Sequence, residues 1–170
     1  MLKNKRLLMV LAPKNFKDEE YYVLREILDS MNIRLITTSI AKEAISTLGR
    51  KEPIDILFNE ATSQYDGIIL IGGPGMVIFF ENERLFDLIK EFYNKNKIVA
   101  ALCIAPTILA NSKILQGKKA TAFPSEEQNL KNKNVIYTGD LVTVDGKIIT
   151  GKSPASIREF ATQIIKELSK

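Results

Sequence analysis

Cys103 is the one side chain in this 170-residue sequence with the makings of a soft nucleophile, and it is the only cysteine. It lies in the run Ile98 to Ala110, IVAALCIAPTILA, which starts apolar and β-branched and continues through Ile104-Ala105-Pro106 into an apolar helical pattern. The pattern predicts a strand that turns sharply into a helix, with Cys103 at the bend. Such a turn aims its residue at the helix N-terminus, where amide N–H groups and the positive dipole end favour an anion and lower a thiol's pKa. Against this stands the tendency of a free cysteine to pack in the core as a small hydrophobe. The chain contains no histidine, so no imidazole of its own can move a proton for Cys103. One cysteine and no histidine argue against a zinc site, and neither a metal nor a cofactor is expected. A single cysteine also excludes an internal disulfide and suits a reducing compartment.

A second spacing suggests different chemistry. Gly146-Lys147-Ile148-Ile149-Thr150-Gly151-Lys152-Ser153 matches the phosphate-binding pattern G-x-x-x-x-G-K-S, which works by curling a nest of backbone amides round phosphates. Here the intervening residues suit a strand paired with Leu141 to Val144 across Asp145-Gly146, and Pro154 removes an amide. Nucleotide binding is therefore not expected.

The elements that must position Cys103 read as an alternation. Strands are expected at Arg6 to Leu11, Ile33 to Thr38, Asp66 to Ile71 and Lys97 to Leu102. Helices are expected at Asp18 to Met31, Glu83 to Lys95 and Pro154 to Leu168, with a hairpin or ribbon around Gly49 to Phe58 and a tight loop at Gly72-Gly73-Pro74-Gly75. Further strands are expected at Lys119 to Phe123 and Val135 to Tyr137, followed by a hairpin at Leu141 to Thr150. Continuous apolar strands alternating with amphipathic helices imply a mostly parallel α/β sheet covered on both faces. Such sheets place ligands at the carboxyl ends of the strands, where Cys103, Gly72-Gly73 and the loop after Leu11 all fall.

Composition sets the bounds. With 45% hydrophobic residues, residues 1–170 suffice for one domain with its own core. No apolar run reaches the roughly 18 residues that span a bilayer, and the apolar stretch after Lys3 to Arg6 is about six residues, short of a signal peptide's h-region. The formal charge of +4 comes from scattered lysines without interleaved aromatics, so neither nucleic acid nor membrane is an expected partner.

These residues together resemble the PfpI superfamily, which includes intracellular-protease-like proteins and the parkinsonism-associated deglycase branch, and the resemblance runs nearly end to end. Asn15-Phe16-Lys17-Asp18-Glu19-Glu20 resembles the family segment whose last acid reaches the nucleophile. Gly72-Gly73-Pro74-Gly75 resembles its glycine turn and Leu102-Cys103-Ile104-Ala105-Pro106-Thr107 its cysteine elbow. Val144 to Lys147, Ser153-Pro154 and Glu159-Phe160-Ala161 resemble its C-terminal signature. The resemblance implies a flavodoxin-like three-layer sandwich, a homodimer and a cytoplasmic location.

The departures narrow the chemistry. The protease-like branch has a histidine directly after the cysteine, where this chain has Ile104. The deglycase-like branch has one in the strand region where this chain has Thr121-Ala122-Phe123-Pro124. A Cys–His counterpart of the serine triad is not available, and peptide hydrolysis is not expected. The resemblance instead implies a Cys103–Glu20 pair sharing one proton, read as a protonated Glu20 donating to a thiolate, with the Gly73 and Ile104 N–H groups as oxyanion donors. Gly72, Phe123 and Pro154 are expected to line the site, and Arg50 to reach a partner's site. The alternative for Glu20 is an exposed first-turn acid favoured by the helix dipole. Two functions follow: a glyoxalase- or deglycase-type enzyme acting on a small reactive carbonyl compound, or a non-catalytic stress-response sensor whose thiolate is converted by an oxidant to a sulfinate.

Overall fold

The computed structural model describes residues 2–170. Its centre is a run of strands buried on both faces, the mark of a parallel sheet sandwiched between helices. These are β1 (Arg6–Val10), β3 (Arg34–Ser39), β7 (Gly67–Leu70) and β8 (Ile98–Leu102). Together with β6 (Ile56–Leu57), β11 (Val142–Asp145) and β12 (Ile148–Gly151) they form a seven-stranded sheet in the order β11-β12-β8-β7-β1-β3-β6. All its pairs are parallel except β11 with β12.

The period of two along each strand sends alternate residues to opposite cores. Leu8, Val10, Ile68, Leu70, Val99 and Ala101 face one cluster with Leu85, Ile89 and Phe92 of α2 (Glu83–Asn94). Leu7, Met9, Ile69, Ala100 and Leu102 face the other, with Tyr21, Leu24 and Leu28 of α1 (Asp18–Ser30) and Phe160 and Ile164 of α5 (Ile157–Leu168). The elbow helix α3 (Pro106–Asn111) and α4 (Glu127–Asn132) lie on the α2 side. A small second sheet runs β2-β4-β5 (Lys14–Phe16, Glu43–Ser46, Lys51–Pro53), and a third pairs β9 (Lys119–Ala120) with β10 (Ile136–Tyr137).

Several boundaries depart from the sequence reading for identifiable reasons. The ribbon is the β4–β5 hairpin, with Gly49 at a φ of 81° in its turn. Beyond Pro53 the chain leaves it because Asp55 accepts hydrogen bonds from the Thr37 N–H (2.8 Å) and hydroxyl (3.0 Å), drawing β6 to the edge of the main sheet. The strand expected over Lys119 to Phe123 stops at Ala120: the Thr121 N–H goes to Thr150 Oγ1 (2.9 Å) and the Phe123 N–H to the Cys103 carbonyl (2.8 Å). Residues 124–132, unassigned from sequence, form a 3₁₀ turn (Pro124–Glu126) and α4. The glycine turn runs into a 3₁₀ helix (Pro74–Phe79), and a 3₁₀ turn (Pro154–Ser156) precedes α5.

The phosphate-loop pattern is strand, as its side chains suggest. Ile148 to Gly151 pair with Val99 to Leu102 on one side and with Val142 to Asp145 on the other. Asp145 still pairs with Ile148, so the tight connection is Gly146-Lys147 rather than Asp145-Gly146. Ladder pairing leaves no free amide nest, and Lys152 Nζ donates to the Gly139 carbonyl (3.1 Å). Calorimetric titration with Mg-ATP should give no binding heat; micromolar affinity that disappears in Lys152→Ala would contradict this assignment.

Candidate active site

The sheet order brings the site together. β8, β7 and β1 are neighbours, so the loops at their carboxyl ends meet at one edge. The loop after β1 carries β2 and then α1; the loop after β7 carries Gly72-Gly73; β8 ends in Cys103. Lys17 N–H donates to the Gly72 carbonyl (3.0 Å), and Gly72 N–H donates to Glu20 Oε2 (2.8 Å). A Cβ on Gly72 would lie 2.5 Å from Glu20 Oε2 and 2.6 Å from Cys103 Cβ. Only glycine lets the carboxyl and the thiol approach across this turn. Gly73 has a φ of 113°, and a Cβ there would meet Asn15 O at 2.5 Å and Lys17 N at 2.6 Å.

Cys103 is half-buried with a φ of 61°, in the left-handed region. A non-glycine residue is held there only when its surroundings determine it. Both of its peptide groups are held: its N–H donates to the Gly151 carbonyl (2.9 Å) and its C=O accepts from the Phe123 N–H. The backbone N–H groups of Ile104 and Gly73 both face the sulfur and favour its charged form.

Glu20 is fully buried, which rules out the exposed first-turn acid. Its neighbours separate by environment: Glu19 is exposed, whereas Asp18 fastens the ribbon turn by accepting from Thr47 Oγ1 (2.7 Å) and Leu48 N (3.2 Å). Burial pushes the Asp18 carboxyl up, but hydrogen bonds from Ser46, Thr47 and Leu48 outweigh it and hold the pKa below its ordinary value. Glu20 lacks such a set. Burial lifts it to about 7, against the Gly72 N–H and the Cys103 thiol, which lower it. Among the described residues no hydrogen-bond donor reaches Oε1; the Cys103 thiol and the Lys17 charge are the other groups that favour the carboxylate.

The expectation of a lowered thiol pKa is overturned. Burial, and then the charge of Glu20, push Cys103 up to about 12; the Ile104 and Gly73 N–H groups oppose this and lose. The elbow helix has only six residues, and its dipole is correspondingly small. Burial raises both groups, and the Glu20 charge bears on the thiol as the thiol bears on the carboxyl, so the two titrate as one coupled pair.

The other expected lining residues divide. Phe123 is 41% exposed and meets the elbow through its backbone. Pro154 starts the turn before α5. Arg50 lies with its guanidinium 3.6 Å from the ring centre of Tyr22 on α1. Among the described residues no hydrogen bond joins Arg50 or Pro154 to Cys103 or Glu20. Sequence reading missed the anchoring of Glu20 by Gly72 and the grip of Gly151 and Phe123 on Cys103, because these bonds use backbone atoms that every residue carries.

A carboxyl with a folded pKa near 7 and an ordinary unfolded value near 4.5 stabilises the fold fully below about 4.5, and that stability is lost as pH rises through about 7. The loss is on the order of 3 kcal/mol. Glu20→Gln stays neutral and still accepts from Gly72. Its stability relative to the parent should rise between pH 5 and 8 in chemical denaturation, and a pH-independent difference would contradict the buried charge.

Comparison with known proteins shows the family and the fold. The sequence matches the DJ-1/PfpI family over residues 5–167. It is 38% identical over 174 residues to an uncharacterised protein of Methanocaldococcus jannaschii, covering 99% of this chain and 85% of the relative. It is 24% identical over 162 residues to a deglycase of Pyrococcus abyssi, covering 94% and 98%. The crystal structure of a ThiJ/PfpI domain protein from Brachyspira murdochii superposes with a TM-score of 0.94 at 30% identity, covering 98% of each chain. The chain belongs to the DJ-1/PfpI family.

Proposed function

We propose that the protein is a cysteine-dependent enzyme that converts small reactive carbonyl compounds, such as 2-oxoaldehydes, through the pair Cys103 and Glu20. The observation that carries this reading is the Glu20 carboxyl: fully buried, raised to about 7 and in contact with the only thiol. A base poised near the working pH gives the best compromise between being ionised and driving proton transfer. A structural carboxylate would instead gather several donors and keep a low pKa, as Asp18 does through Oδ2.

In this mechanism the Glu20 carboxylate takes the thiol proton as sulfur attacks the aldehyde carbon. The C–S bond forms, the carbonyl π pair moves to oxygen, and the N–H groups of Gly73 and Ile104 are the donors nearest that oxygen. Protonation of the oxygen gives a hemithioacetal. Glu20 then moves the proton from the former aldehyde carbon to the adjacent ketone carbon, giving a 2-hydroxy thioester. Water cleaves the C–S bond, releasing a 2-hydroxy acid and restoring the thiol. No step requires an external oxidant, because the aldehyde carbon is oxidised as the ketone carbon is reduced. Peptide hydrolysis does not fit, since Ile104 offers no proton to an amine leaving group.

A cytoplasmic homodimer is part of this proposal and follows from the family resemblance; the free cysteine suits a reducing compartment, and no helix among the described residues is long and apolar enough to cross a membrane.

Two measurements test the reading. Because carboxylate and thiol share one proton, the rate of Cys103 alkylation by iodoacetamide should rise through an inflection near 7, level off, and rise again near 12. Glu20→Gln should abolish the lower inflection and reduce methylglyoxal turnover by about 10²–10⁴. If the parent has no turnover while peroxide converts Cys103 to a stable sulfinate whose further oxidation changes in Glu20→Gln, the protein is a sensor and the enzymatic reading fails.

A further inference from the structure

The elbow's approach to the sulfur depends on a residue outside the Cys–Glu pair. Cys103 is held in the left-handed region by Gly151 and Phe123, but these bonds fix only its own peptide groups. The Ile104 N–H, which must keep facing the sulfur, lies between Cys103 and α3, and α3 has no side-chain cap at its N-terminus. What grips its first turn is a buried hydrogen bond: the Thr107 hydroxyl donates to Glu126 Oε1 at 2.9 Å.

Glu126 is built to hold that position. It is 7% exposed and Thr107 is 3% exposed. Its Oε1 also accepts from Asn129 Nδ2 (3.3 Å) and its Oε2 from Ser125 Oγ (2.9 Å). Neutral donors alone meet this carboxylate; among the described residues no lysine or arginine is paired with it. Hydrogen bonds to a charged acceptor in such a setting are the strong, directional kind. Glu126 also ends the 3₁₀ turn that follows Phe123, with its N–H on the Phe123 carbonyl (2.8 Å). One compact unit, residues 123–126, therefore holds the elbow at two points, the Cys103 carbonyl and the Thr107 hydroxyl, with Ile104 between them. The far end of α3 has its own fastening, Asn111 Nδ2 on the Phe80 carbonyl (2.8 Å).

We propose that Glu126 is a positioning residue for the reaction of Cys103: acting through Thr107, it sets the direction of the first turn of α3 and so holds the Ile104 N–H on the sulfur. The proposal rests on Cys103 being the reacting group. Thr107→Val removes the hydroxyl with little change of shape, and Glu126→Leu removes the acceptor. Each should lower the iodoacetamide rate constant above pH 7 by about tenfold or more, the scale at which small misplacements act. The inflection near 7 should stay, since Glu20 is untouched, and kcat for methylglyoxal should fall with KM little changed. The double variant should be no worse than either single one, as expected of residues acting as a unit, and Thr107→Ser should retain the parental rate. An alkylation rate that stays parental or rises in folded Thr107→Val and Glu126→Leu, whatever happens to their melting temperatures, overturns the proposal. If the parent has no inflection near 7 and no turnover, the Cys–Glu reading fails separately. The alkylation ratio between parent and Thr107→Val still decides the role of Glu126.

Discussion

The hydrogen bond from the Gly72 N–H to the Glu20 carboxyl is the constraint on which the site depends. It draws a carboxyl into a place where burial outweighs the groups that favour its charge, the Gly72 N–H, the Cys103 thiol and Lys17. The alternatives would have been cheaper for the fold. An exposed acid on the first turn of α1 would cost nothing, and an acid with several donors, like Asp18, would add stability. Glu20 has neither release. Poorly compensated buried charge beside a strained turn is characteristic of reacting centres, where stability is given up for a perturbed pKa.

The rest of the molecule can be understood as support for that contact. The adjacency of β8, β7 and β1 decides that three loops from distant parts of the chain meet at one edge. Two separate cores, one on each face of the sheet, fix the strand ends from which these loops spring. Asp18 secures the ribbon turn from the first turn of α1, the same turn that carries Glu20. Tyr21 and Tyr22 both donate to Glu52 of β5, tying the helix to the ribbon one residue further on. On the opposite side, β12 supplies the carbonyl that receives the Cys103 N–H. The strand that resembles a phosphate loop in sequence thus serves as a wall of the elbow.

Much of this was legible in the sequence, and the misses share a cause. Apolar runs such as Leu7 to Val10 and Ile98 to Leu102 announce buried parallel strands, because nothing else hides both faces of a strand. The bend at Cys103 showed in the change of periodicity and in Pro106. The 3₁₀ turns and α4 did not show, because short elements with 3₁₀ entries carry too few turns for a periodic signal. Thr121 to Phe123 have the composition of a strand, yet their N–H groups are claimed by Thr150 and Cys103, a tertiary choice that no local pattern records. The sign of the thiol shift was misjudged because the helix end is visible in sequence, whereas the depth of burial and the charge of Glu20 are not. Nothing in the sequence marks Glu126, because its partner Thr107 meets it only in the fold.

The central claim is that Glu20 and Cys103 titrate as one coupled pair, the carboxyl giving up its proton near neutrality. The most direct measurement is the carboxyl carbon shift of Glu20 followed by NMR against pH in protein labelled at glutamate side chains, with Glu20→Gln supplying the assignment. The account predicts a titration near 7 for this one glutamate, with a second, smaller step at high pH as the thiol ionises. A Glu20 carboxyl that titrates in the ordinary range near 4.5, with no response to the thiol, would contradict it.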